Sequence, residues 1–337
     1  MRYVMRWHLA TLGVLGMAAH LLAADTQVTP IIARMGTATL KEANHEWLKR
    51  YAAALERDTR GRIRVEVYPA SQLGSIARMI EQAQFGSIQG WVGPPEFLSG
   101  VDMRYEVLSA PGLFKDIAHA NRVLQDPQFN TAFLSLGANK GLKGIGLFVD
   151  GPASFVSRKP VRKIADFNGL KIRVLSSPLQ REQVRALGAT PVPMALGQVL
   201  TALQQGALDA VMAEAPVFVA FRYYSVGKYL IESEHSMVLA VAVINRSWFE
   251  NLPSDLQKIV AEDGRKVSEE IFPWAVKDVN DGLETWNKNG GEVIRFDAEE
   301  QKRLVELLQP LGAQVTAKRP DEKVLFDLLQ NASERNR

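Results

Sequence analysis

The feature that most constrains this chain is a repeating alternation of short apolar runs and amphipathic helical stretches, each cycle punctuated by glycine. Residues 30–35 read as a strand closed by Gly36. Trp47, Leu48, Tyr51, Ala52 and Leu55 then recur at helical spacing across residues 46–57. After Gly61, the alternation of Ile63, Val65 and Val67 predicts a second strand. A helix over 78–84 is stopped by Gly86, and 90–93 reads as a buried strand edge. The cycle returns with strands at 144–149, 169–174, 208–212 and 238–244. Helices at 179–187 and 199–205 are stopped by Gly188 and Gly206. Such alternation predicts an α/β fold with helices on both faces of its sheets. The 337 residues suffice for two lobes. No flexible linker separates the halves, so crossing strands rather than a tether are expected to join them.

The C-terminal third carries one long helical pattern, from Ser254 through Trp286 to Gly290 and Gly291. Ser254 and Gln257 have capping-box spacing, and Pro273 predicts a kink. Such a helix would span on the order of 50 Å, longer than either lobe. A second capped helix is expected from Asp297, with a frayed tail over 331–337. At the other end, Arg2 and Arg6 precede a charge-free run from Leu9 to Ala24. That is the layout of a secretory signal peptide over residues 1–24, an uncleaved anchor being the alternative. A soluble mature protein in a periplasm is the expectation.

Several classes of chemistry lack their residues. There is no cysteine, which removes thiol nucleophiles, cysteine-ligated zinc, disulfides and a lipid anchor through cysteine. The five histidines, at 8, 20, 45, 119 and 235, show no metal-ligand spacing. Gly144-Ile145-Gly146 leads into a strand rather than a helix N-terminus, so it does not cradle a dinucleotide phosphate. Ser87 stands one place too early for a nucleophile elbow. The formal net charge of +3 is dispersed, which argues against nucleic acid. Carboxylates fall on predicted helix surfaces, where solvated charge is the ordinary reading. The sequence therefore offers no catalytic residue, no metal site and no cofactor.

Six blocks carry a resemblance. Residues 164–174 read Ile-Ala-Asp-Phe-Asn-Gly-Leu-Lys-Ile-Arg-Val, 186–194 Ala-Leu-Gly-Ala-Thr-Pro-Val-Pro-Met, and 202–209 Ala-Leu-Gln-Gln-Gly-Ala-Leu-Asp. With them stand Tyr-Pro-Ala-Ser-Gln-Leu-Gly at 68–74, Lys-Tyr-Leu at 228–230 and Leu-Pro-Ser-Asp-Leu-Gln-Lys at 252–258. In this order, over essentially the whole mature chain, they resemble the solute-binding subunits of tripartite ATP-independent periplasmic (TRAP) transporters, the DctP type. The resemblance implies a two-lobed periplasmic-binding-protein fold with a long helix spanning both lobes and closure around a small organic carboxylate. It also implies delivery to membrane permease subunits driven by an ion gradient, and a monomer. Lobe 1 would comprise 25–148 and 233–275, and lobe 2 149–232 and 276–330.

Arg173 matches the family's arginine that clamps a ligand carboxylate with two prongs, although on pattern alone it reads as a solvent-facing charge. Elsewhere the chain departs from the sialic-acid and dicarboxylate binders of the family. Ala153 stands where a second arginine often sits, and Ala213 where an asparagine is common. Pro94 and Ile76 replace acidic residues, and Thr37 holds the first-strand contact position. Few polar partners then remain beyond Arg173, which predicts a monocarboxylate with a modest or apolar body: a keto, hydroxy or aromatic acid. Trp91, Phe97, Met212 and Phe218 are candidate walls, core packing being the commoner fate of such residues; Glu96 and Glu214 are candidate partners for a ligand hydroxyl, with an exposed role the expectation for both. Two rivals remain: a receptor presenting its ligand to a sensor, and a secreted α/β hydrolase or lyase.

Overall fold

The computed structural model describes residues 29–175 and 177–337. The signal-peptide expectation for residues 1–24 lies outside the described residues. The strands are β1 (Ile31–Gly36), β2 (Ile63–Tyr68), β3 (Gly90–Gly93), β4 (Leu142–Pro152), β5 (Ser154–Ser157) and β6 (Lys171–Val174). They continue with β7 (Thr190–Pro193), β8 (Ala210–Ala213), β9 (Tyr229–Glu232), β10 (Met237–Asn245) and β11 (Glu292–Arg295). Two sheets result, ordered β2-β1-β3-β10-β4 and β11-β9-β5-β8-β6-β7. In the first, β1 is parallel to β2 and β3, while β10 runs antiparallel to β3 and β4. In the second, β8 is parallel to β6 and antiparallel to β5.

All nine residues of β10 are buried, because both faces of the first sheet are covered. Leu239, Val241 and Val243 face one core, and Ala240, Ala242 and Ile244 the other. The small alanines let helices come close. Gly264, in the helix Ser254–Glu270, lies so near β4 that a methyl there would strike the Ile145 carbonyl. Trp47, from the helix Ala43–Asp58, stacks on Phe148 at 5.8 Å and donates to Ser268 Oγ at 2.9 Å.

Four segments cross between the sheets, one of them the helix pair Ser254–Glu270 and Phe272–Lys288. A second is β4 into β5 through Ala153, and a third is β9 into β10 through residues 233–236. These two are laced together: Ala153 N donates to Ser236 O at 2.9 Å and Ser233 Oγ to Ala153 O at 3.2 Å. The fourth runs from the helix Ala298–Leu308, whose Leu304 and Leu308 join the second sheet's core, to the helix Pro320–Arg335. That last helix buries Leu325, Phe326 and Leu329 in the first sheet's core, whereas residues 276–330 read from sequence as one lobe.

The long C-terminal helix is two segments, Ser254–Glu270 and Phe272–Lys288, meeting at Ile271. Pro273 has no N–H to give to the carbonyl four residues back, so the ladder breaks there. The pair still reaches both lobes: Val260 and Val267 pack in the first, and Trp286 packs on Phe218 in the second at 6.3 Å. The predicted capping box does not form. Pro253 occupies the cap, Ser254 is already helical, and Gln257 Nε2 instead donates to Leu252 O at 2.8 Å.

The tail does not fray as expected. Residues 331–335 finish the last helix, with Ala332 buried. Ser333 Oγ donates to Leu113 O at 2.6 Å, and Arg335 pairs with Asp126 at 2.9 Å. Asp126 meanwhile caps the helix Pro127–Leu134. Deleting residues 331–337 should therefore lower unfolding free energy by about 1–3 kcal/mol, as buried groups lose their partners. Urea denaturation would show this as a lower midpoint, and an unchanged midpoint would restore the frayed reading.

Candidate functional site

Between the two sheets lies a small cavity lined from both lobes. The first lobe supplies Thr37 just past β1, Trp91 on β3, Pro94 just past β3, and Phe97. The second supplies Arg173 on β6, Ala213 at the end of β8, and Glu214 just beyond it. The site thus sits at the carboxyl ends of parallel strands, where open α/β sheets leave a crevice.

Arg173 is 1% exposed. It alternates with Ile172 and Val174, which face one core of the second sheet, so its side chain takes the other face with Val211 and Ala213. That face is covered too, which is why the solvent-facing reading of the strand pattern does not hold. Nε donates to Met194 O at 3.0 Å and Nη1 to Met212 O at 3.4 Å. Nη2 has no partner, and among the described residues no carboxylate pairs with the guanidinium within 4.0 Å. Burial pulls its pKa down from the ordinary value, opposed by Tyr223 and Glu214.

Carboxyls gather around the cavity. Glu42 caps the helix Ala43–Asp58 and accepts from Thr39 Oγ1, Asn44 N, His45 N and Asn44 Nδ2. Asn44 Nδ2 also donates to Asp150 Oδ2 at 3.0 Å, while Asn44 Oδ1 is unpartnered. Burial raises Glu42, eased by those hydrogen bonds. Asp150 stands well above the usual carboxylate range through burial and the nearby Glu42, Glu214 and Asp278. Glu214 is pushed up to about 8 by burial and then by Glu42, against the pull of Arg173. Glu96, which accepts from Ser109 Oγ at 2.7 Å, is raised to about 7 by burial.

The residues anticipated from sequence divide in two. Arg173, Thr37, Trp91, Pro94, Phe97 and Ala213 line the cavity together with Ile76. Ala153 does not line it: it sits fully buried at the strand crossing, with its backbone bonded to the other crossing segment. Met212 turns its side chain into the second sheet's core and offers only its carbonyl, to Arg173. Phe218 packs in the other core of that sheet. Glu96 and Glu214, expected at the surface, are 1% and 3% exposed. Asn44 and Thr39 were not anticipated, and both line the cavity. Their one signal is the run Thr39-x-x-Glu42-x-Asn44 between a strand and a helix, where polar side chains meet free backbone N–H groups.

The sequence profile of bacterial extracellular solute-binding protein family 7, DctP, matches residues 36–319. Among curated proteins, the chain is 29% identical over 258 residues to the 2,3-diketo-L-gulonate-binding periplasmic protein of Escherichia coli, covering 71% of this chain and 78% of that one. Among solved structures, it resembles a TRAP periplasmic solute-binding protein from Desulfovibrio salexigens with bound orotic acid. The TM-score is 0.86 at 30% identity, over 91% of this chain and 99% of that one. A TRAP periplasmic solute-binding protein from Xanthobacter autotrophicus with bound β-D-galacturonate matches with TM-score 0.82 at 28% identity, over 89% and 99%.

The raised carboxyls have a consequence for stability. Glu214 holds its proton to about pH 8 when folded but releases it near its ordinary 4.5 when unfolded. Between those values the folded chain binds the extra proton, so stability falls as pH rises through the window. The melting temperature of the unliganded protein should decline from about pH 5 to about pH 8, and the slope should be shallower in Glu214→Gln. A melting temperature that climbs over the same range would contradict the protonated carboxyls.

Proposed function

The chain belongs to the DctP family of bacterial extracellular solute-binding proteins, family 7, and on that premise we propose that it captures a small organic carboxylate in the interlobe cavity through Arg173. The family binds solutes and is not a family of enzymes. The carrying observation is the buried guanidinium itself. It is 1% exposed and, among the described residues, has Nη2 unpartnered and no counter-ion. A buried cation in that state is costly, and a carboxylate entering the cavity supplies both the charge and the paired acceptors a planar guanidinium fits.

The ligand's body would rest against Trp91, Phe97, Leu175 and Val217, which wall the same space. Two similar proteins were solved with acids bound, orotic acid and β-D-galacturonate, which supports an acid as the ligand class. The lobes would close on the ligand by hinge motion about the crossing strands, in a periplasm. The loaded protein, acting as a monomer, would then deliver its ligand to the membrane permease of a TRAP transporter.

A thermal-shift screen against small carboxylic acids tests the reading. An acid at 100 times its dissociation constant should add about 2.7 kcal/mol of stability. That gain should vanish in Arg173→Ala and shrink in Arg173→Lys, which keeps the charge but loses the planar fork. Stabilisation of all three proteins by the same acid to the same extent would show that Arg173 does not hold the carboxylate.

A further inference from the structure

We propose that Asn44, with Glu214 beside it in the cavity wall, forms a second polar pole that selects acids carrying a hydrogen-bond donor, a hydroxyl or ring N–H, over acids without one. The inference rests on Arg173 as the carboxylate clamp and adds what the rest of the ligand must carry. It replaces the sequence-based picture of a cavity nearly empty of polar groups beyond the arginine.

Asn44 is only 2% exposed. Both N–H bonds of its side-chain amide are spent, on Glu42 Oε2 at 2.6 Å and Asp150 Oδ2 at 3.0 Å. Glu42 cannot release it by turning, because its two oxygens also take the hydroxyl of Thr39 and the backbone N–H groups of Asn44 and His45. The amide is therefore held in one orientation, with both N–H groups engaged and Oδ1 left over. Asn44 lines the cavity, and Oδ1 has no donor. A fixed, buried acceptor without a donor calls for one from the ligand. Arg173 Nη2 shows the complementary lack in the same cavity, a buried donor without an acceptor. A ligand with a carboxylate and a separate donor group meets both.

Glu214 sharpens the choice. Its carboxyl takes no side-chain hydrogen bond among the described residues, yet it borders the cavity. The groups facing it are Glu42 from the helix Ala43–Asp58, Glu96, Asp150 on β4, Tyr223 and the cation Arg173. Burial first, and then the neighbouring carboxyls set against a single cation, leave Glu214 protonated near neutral pH. A neutral carboxyl can receive a ligand hydroxyl and donate to its oxygen, but once ionised it repels the carboxylate that Arg173 holds. Binding should weaken as pH rises past about 8.

Calorimetry with four probes tests this: orotate and D-galacturonate, which carry donors, and nicotinate and benzoate, which carry none on their rings. Wild type should bind a donor-bearing acid about tenfold or more tighter than either donor-free acid. Asn44→Ala should erase most of that preference by weakening only the donor-bearing acids, a within-protein ratio that general destabilisation would not move. Glu214→Gln should keep the preference and lose the weakening above pH 8. Equal wild-type affinities for the two classes, or an Asn44→Ala loss shared equally by both, would overturn the second pole while leaving the clamp intact. Binding of all acids undiminished by Arg173→Lys would instead remove the clamp, and a panel in which no donor-bearing acid binds removes the second pole.

Discussion

Charge balance inside the interlobe cavity governs much of this structure. One guanidinium is buried with no carboxylate among the described residues paired to it, while the carboxyls of Glu42, Asp150, Glu214 and Asp278 crowd the same region with raised pKa values. A charge taken out of water must be neutralised or paired. The carboxyls achieve this by keeping protons and by hydrogen bonds such as those converging on Glu42. The arginine has no such route, since a guanidinium does not give up its proton. Its carbonyl partners, Met194 and Met212, satisfy two of its donors but supply no negative charge. The site is thus left one anion short.

The fold places these groups by simple means. Glu42 and Asn44 sit at the start of the helix that follows β1, Asp150 lies on the crossing strand β4, and Glu214 holds the position before a short helix after β8 without bonding its backbone. Each is at a strand or helix end, where backbone groups need partners and side chains can supply them. Glu42, Asn44 and Asp150 come from first-sheet elements and Glu214 from the end of β8 in the second sheet, so the polar cluster reaches across from one sheet to the other.

The strand–helix order, the stopping glycines and the break at Pro273 were legible in the chain because they are local. Gly86, for example, ends its helix with φ 81°, a conformation few other residues tolerate. What stayed hidden is what depends on coverage by distant segments. Arg173 looks like a solvent-facing residue in an alternating strand, and only the covering of both faces of the second sheet buries it. Glu96 and Glu214 look like surface carboxylates for the same reason. Met212 and Ala213 differ by one position, yet the pleat turns one into the core and the other to the cavity. Asn44 gave only the faint signal of its place before a helix, because Asp150, which helps to orient its amide, lies 106 residues away.

A further contact joins the strand that carries Arg173 to the opposite lobe. Glu106, buried on the first-lobe side, accepts from Ser177 Oγ at 2.9 Å and Leu179 N at 3.0 Å, at the start of the helix Pro178–Ala186. Leu179 itself is buried in the first sheet's core, and Gln183 Nε2 donates to Ser109 O at 2.7 Å. That helix begins only four residues after β6 ends. A carboxylate at a helix N-terminus is well placed electrostatically, and Arg319, from the fourth crossing, pairs with the same carboxylate at 2.9 Å. The segment following Arg173 is therefore gripped by the lobe that also supplies Thr37, Trp91 and Asn44. Position of the guanidinium and position of the facing wall are set by one set of contacts, so a ligand that bridges them reads a distance both lobes help to define.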